Sequence, residues 1–117
     1  MKKLEHDLLG EKYTDVYHEE NYQFNAPHYF SVKPKGLTEK LAEIHFQEGA
    51  IKEHGVNGVC NEDLIAMVIC RLEHFNQSEF HCRENSMAVT KLEEALLWLR
   101  KRTMGREQRG VEGTHTK

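Results

Sequence analysis

The chain is poor in the features that announce most chemistries. Its three cysteines, Cys60, Cys70 and Cys82, are odd in number and form no C-x-x-C pair. That excludes a disulfide framework and the common zinc and redox modules, and the three read as reduced packing residues. A metal site built from His74, His81 and Cys82 lacks the spacing of known zinc modules, and the eight histidines are scattered. No apolar run approaches the roughly 20 residues of a membrane-spanning helix, and Met1 to Gly10 mixes Lys, Glu, His and Asp where a signal peptide has an apolar core. A cytoplasmic protein is expected, with no membrane partner. Basic excess is also missing: the net charge is -3, which argues against a general DNA or RNA binder.

What is present is unevenly distributed. From Arg100 onward there are six basic and two acidic residues, so a +4 end follows a -7 body. Such an end suits a small anionic ligand better than a duplex. At 117 residues, 38% hydrophobic and 30% charged, the chain is expected to be one domain with a core near the lower limit of self-sufficiency. Self-association would help it.

The pattern predicts an α+β fold, with a small antiparallel β-hairpin or sheet and a loop over residues 1–60 and a two-helix hairpin over 61–117. Residues 1–25 have no clear period, although Tyr13, Tyr17, Tyr22 and Phe24 look like anchors. Strands are expected over 28–33 and 42–46, joined through Pro34-Lys35-Gly36. A Gly-rich loop follows to Cys60. Asn61 is placed as an N-cap, with Glu62 and Asp63 in the first turn of a helix whose apolar stripe is Leu64, Val68, Leu72 and Phe75. A second helix, from about Glu84, carries Met87, Ala88, Leu92, Ala95, Leu96, Trp98 and Leu99 on a face broad enough to pack on the first helix and on another chain.

Three groups of residues invite a functional reading. Arg71 falls inside the first stripe, where an unpaired guanidinium is costly to bury; it either reaches out to water or a carboxylate, or meets a ligand. Arg102, Arg106 and Arg109 stand at i, i+4 and i+7, a row of guanidinium forks suited to a pyrophosphate or cyclic phosphodiester, or else a solvated basic helix end. Phe75, Phe80 and Asn85 meet around the connection between the helices; a phenyl face stacks a base and an asparagine reads its edge, although core packing is the commoner fate of Phe.

These residues belong to an ordered series: Gly55-Val56-Asn57-Gly58-Val59, Glu62-Asp63-Leu64, Arg71-Leu72, Phe75, Arg83-Glu84-Asn85, Arg100-Lys101-Arg102-Thr103, Arg106, and Arg109-Gly110-Val111-Glu112-Gly113-Thr114. The series, from about Ile44 to Thr114, resembles the phage Thoeris anti-defence sponge family, which shares its helical hairpin with the anti-CBASS sponges. The resemblance implies a non-enzymatic protein without cofactors that holds cyclic nucleotide immune signals in the infected bacterial cytoplasm without cleaving them. It implies glycocyclic ADP-ribose as the main ligand, cyclic di- or trinucleotides as further ones, and assembly as a dimer or hexamer. It assigns base stacking to Phe75, an edge contact to Asn85 and phosphate binding to Arg102 and Arg106, with Arg109 as a further candidate; Arg71 is a candidate ligand contact from its place in the stripe alone. A second site for cyclic oligonucleotides would use the backbone of Gly55, Val56, Asn57 and Gly58.

Two alternatives stand beside this reading. One is a structural or regulatory helical-hairpin protein that binds another protein or DNA through its basic tail, against which the overall acidity counts. The other is a nucleotide-degrading enzyme using His74, Glu79 and His81.

Overall fold

Alternation of apolar and polar residues over Tyr29–Pro34 and Ala42–His45 builds two neighbouring strands. They are the inner and outer members of a four-stranded antiparallel meander: β1 (Lys2–Lys3), β2 (Thr14–His18), β3 (Tyr29–Pro34) and β4 (Ala42–His45), in that spatial order. The computed structural model describes residues 1–117, in two units, Met1–Val59 and Cys60–Lys117. The expected turn is present: Gly36 takes φ 76° and Leu37 N–H donates to Pro34 O at 3.1 Å. β1 and β2 come from the segment in which the sequence offered no period.

Register sorts the side chains of the sheet onto two faces. Val16 pairs with Val32, His18 with Phe30, and Phe30 with Ile44, giving one largely apolar face. Asp15 pairs with Lys33, Tyr17 with Ser31, and Tyr29 with His45, giving a polar one. On the polar face Lys35 and Lys3 reach Asp15 at 2.9 and 3.4 Å. The hydrogen bond from Lys35 holds the Asp15 carboxyl below its ordinary range. Tyr29 OH donates to Glu43 at 2.6 Å, and Lys40 Nζ bonds both groups at 2.8 Å. Lys40 and Tyr29 therefore hold Glu43 low, while Glu43 raises Lys40.

After β4 the chain returns along it: Gln47 N–H donates to Val59 O at 2.9 Å and Val59 N–H to His45 O at 2.8 Å. Between them lies one helical turn, α1 (Ile51–His54). The return demands glycine at residue 58, where a Cβ would stand 2.5 Å from the Phe46 carbonyl carbon.

The second unit is an antiparallel pair, α2 (Asn61–Asn76) and α3 (Arg83–Gln108). The N-cap of α2 is Cys60, not Asn61 as the residue types suggested. The Asp63 carboxylate accepts from Cys60 N–H at 2.8 Å, which draws the helix start back by one residue. Cys82 caps α3, its sulfur accepting from Asn85 N–H at 3.4 Å.

The half-buried residues of α2 include Ile65, Ile69, Leu72 and Asn76; those of α3 include Asn85, Val89, Leu92, Leu96, Leu99, Thr103 and Arg106. These rows step by four and three, the seam of a coiled-coil-like pair. The expected stripe on α2 is thereby corrected: Leu72 belongs to the seam, whereas Val68 and Phe75 are 47% and 40% exposed. Trp98 and Met87, expected on the packing face of α3, are exposed as well. Neither helix has a buried residue, and no hydrophobic side chain of the chain is buried. No helix is long and apolar enough to cross a membrane.

Candidate functional site

The turn between α2 and α3 is organised by two small polar side chains. Ser78 Oγ donates to Phe75 O at 2.5 Å and accepts from Phe80 N–H at 3.1 Å. Asn76 Nδ2 donates to Ser86 Oγ at 3.1 Å, and Asn76 Oδ1 accepts from Cys82 N–H at 3.3 Å, tying the end of one helix to the start of the next. This scaffold shapes a concavity of about 450 Å³ lined by Arg71, His74, Phe75, Ser78 and Phe80.

The stripe position of Arg71 has its explanation here. Its guanidinium lies 5.2 Å from the centre of the Phe75 ring, in a cation–π arrangement on an exposed flank and not in the seam. With Phe75 40% and Phe80 66% exposed, the concavity offers phenyl faces beside a positive charge. That combination accepts a flat π-system bearing negative charge nearby. Asn85 does not line it and is half-buried at the first turn of α3.

The arginine row lies elsewhere. At 1.5 Å of rise per residue, Arg102 and Arg106 stand about 26 and 31 Å along α3 from Asn85, whereas a 450 Å³ concavity is roughly 8 Å across. One chain therefore does not gather Phe75, Asn85, Arg102 and Arg106 into a single pocket. The three arginines also differ among themselves. Arg102 is exposed, and its guanidinium has no partner. Arg106 continues the half-buried row, and its Nη2 donates to Val111 O, Thr114 O and Thr116 O at 3.0, 2.9 and 2.8 Å. Arg109 bonds Gly105 O and Lys117 O at 3.4 and 3.1 Å. Nearby Arg100 is paired with Glu107 at 3.0 Å.

In the first unit, the Gly55–Gly58 backbone is partly engaged by its own loop. Gly55 N–H donates to Ile51 O at 2.8 Å and Asn57 N–H to Gln47 Oε1 at 3.0 Å, while Asn57 Oδ1 accepts from Glu48 N–H at 2.8 Å. Val56 is 79% exposed at the loop surface. A second concavity, of about 620 Å³, borders the sheet edge and is lined by Lys2, Leu4, His18, Pro27 and Phe30 among others. Sequence reasoning missed it, because Lys2 and His18 become neighbours only through the β1–β2 register. His74 and Ser78 were missed as lining residues of the first concavity for a plainer reason: only the closed tip turn brings them to Phe75.

Fold and site together define a β-meander followed by a long helical hairpin that exposes an aromatic–guanidinium tip at one end and an arginine cluster at the other. The Acb2/Tad1 hairpin domain model matches residues 38–104. Over an alignment of 142 positions spanning the whole of both chains, the protein is 52% identical to Thoeris anti-defense 1 of Bacillus phage SBSphiJ7. The chain belongs to the Acb2/Tad1 family. Arg71, Phe75, Asn85 and Arg102 fall inside the matched hairpin; Arg106 and Arg109 fall beyond it.

Proposed function

We propose that the protein is a phage anti-defence sponge, which binds cyclic nucleotide immune signals and sequesters them without cleaving them. Its principal ligand is a glycocyclic ADP-ribose made by TIR-domain enzymes, and cyclic di- or trinucleotides are further candidates. It acts in the cytoplasm of the infected bacterium. Membership in the Acb2/Tad1 family and the anti-defence name of the full-length relative support the biological role.

The observation that carries the molecular reading is the division of the hairpin into an aromatic tip and an arginine end. A cyclic ADP-ribose has the same two halves, a base and a pyrophosphate. Phe75 stacks the base and Asn85 contacts an edge, while Arg102 and Arg106, with Arg109 beside them, receive the phosphates. Since these halves lie tens of Å apart on one hairpin, each ligand takes its base contacts from one chain and its phosphate contacts from another. Dimers, alone or grouped into a hexamer, supply that arrangement, and the unburied apolar side chains of both helices supply the surface that assembles them. Sequestration needs tight binding and abundance only; no nucleophile, metal or general base takes part.

Calorimetric titration with glycocyclic ADP-ribose isomers and a panel of cyclic di- and trinucleotides tests this, followed by heat denaturation of the complex and chromatography of the released ligand. Tight binding and recovery of unaltered nucleotide are expected. Recovery of hydrolysis products favours the enzyme; no binding to any member of the panel favours the protein-interaction alternative.

A further inference from the structure

α3 ends on a Schellman motif. Gly110, at φ 74°, donates its N–H to Glu107 O at 3.0 Å, and Val111 N–H donates to Arg106 O at 3.0 Å. The chain then turns back toward the helix through Gly113, at φ 76°. Thr114 closes this second turn, its hydroxyl and amide both donating to Val111 O, at 2.6 and 3.1 Å. As a result three carbonyl oxygens, from Val111, Thr114 and Thr116, converge on one nitrogen, Arg106 Nη2.

A guanidinium carries five N–H donors, two of them on Nη2. The hook takes the Nη2 pair and leaves the three donors on Nε and Nη1 outside these contacts. Nη2 belongs to both bidentate edges of a guanidinium, so with the hook on Nη2 the Nε–H and Nη1–H groups remain as separate donors, each able to bond one phosphate oxygen. The acceptors on the hook are neutral carbonyls, so they fix the side chain without cancelling its charge. Arg102, one turn earlier, has no such support, and a ligand meeting it must order a long flexible stem.

We propose that the hook formed by residues 110–117 is a positioning element of the phosphate site. It holds Arg106 in a single orientation, its charge uncancelled and its Nη1 and Nε donors left for the oxygens of an anionic group, a pyrophosphate or a phosphodiester. The inference rests on the nucleotide-binding reading given above. Lysine does not replace arginine here, because the three carbonyls can use all three donors of a single ammonium and leave none for the anion.

The test deletes residues 111–117 from the full chain, alone and combined with Arg106→Ala, and measures affinity for cyclic ADP-ribose isomers by calorimetry. Binding of inorganic pyrophosphate is followed through the NMR signal of the Arg106 Nε–H. Gly113→Val, which strains the second turn without shortening the chain, is the companion variant, and circular dichroism checks that helicity is kept. Hook loss is expected to weaken binding roughly tenfold when Arg106 is present and to add nothing when Arg106 is already alanine. Equal losses in both backgrounds, unchanged affinity, or tighter binding through relief of a competing tail each overturn the proposal while leaving the sponge reading intact. A wild-type protein that binds neither the nucleotides nor pyrophosphate overturns both.

Discussion

At the scale of single residues, Phe75 and Arg106 have opposite surroundings. Phe75 carries the Arg71 guanidinium over its ring and stands outside the half-buried row of α2, so Phe75→Ala removes a stacking face without cutting into the helical seam. Affinity for the proposed cyclic ADP-ribose ligand is expected to fall by about tenfold to a hundredfold, the value of one base–aromatic stack, with only a small drop in the melting temperature of the free protein. Arg106→Ala, by contrast, releases three backbone carbonyls. It is expected to weaken binding by at least as much and also to increase amide exchange in residues 111–116, read by NMR. Asp15 offers a separate test of the sheet. Its carboxyl is depressed in the folded state by Lys35 first and Lys3 second, so its contribution to stability is complete above the ordinary value of 3.8 and is lost as pH falls through the lower folded-state value. Acid titration followed by tyrosine fluorescence should show the first unit losing stability below about pH 4, and Asp15→Asn should flatten that dependence. A wild-type profile no steeper than that of the variant contradicts the assignment.

At the scale of elements, legibility in the sequence followed the strength of the local period. β3, β4, α2 and α3 were legible because alternation or helical spacing persists through each, and the Pro34–Gly36 turn because Gly36 must take a positive φ. β1 and β2 were not, because two residues of β1 carry no period and half of β2 faces a polar surface where Asp15 and Tyr17 replace the apolar residues expected of a strand. The stripe on α2 was misplaced because apolar residues occupy two flanks of that helix; only the position of α3 tells seam from open surface. The candidate site was legible as residue types, and its arrangement was not. Nothing in the spacing of Arg106 reveals that its Nη2 is already occupied by the hook. The loop 47–58 gives a further prediction. A methyl group at residue 58 meets the Phe46 backbone at 2.5 Å, so Gly58→Ala should cost about 1–3 kcal/mol in chemical denaturation of the first unit. Val56→Ala, at an exposed position, should cost little.

At the scale of the whole molecule, the governing fact is that the aromatic tip and the arginine end occupy opposite ends of a hairpin with no buried residue. A lone chain holds half of each proposed contact set and little core to stabilise it, so assembly and ligand binding are two uses of the same exposed surface. Sedimentation of the wild type is expected to show a dimer or a multiple of it at micromolar concentration. The most direct measurement mixes the two variants expected to lose binding, Phe75→Ala and Arg106→Ala, under conditions that allow subunit exchange, and titrates cyclic ADP-ribose into the mixture. If each site joins Phe75 of one chain to Arg106 of another, half of the randomised dimers are mixed and carry one intact site of two, so about a quarter of the wild-type capacity returns at wild-type affinity. A mixture that binds no better than either variant alone contradicts the shared site, and with it the account of how this hairpin holds its ligand.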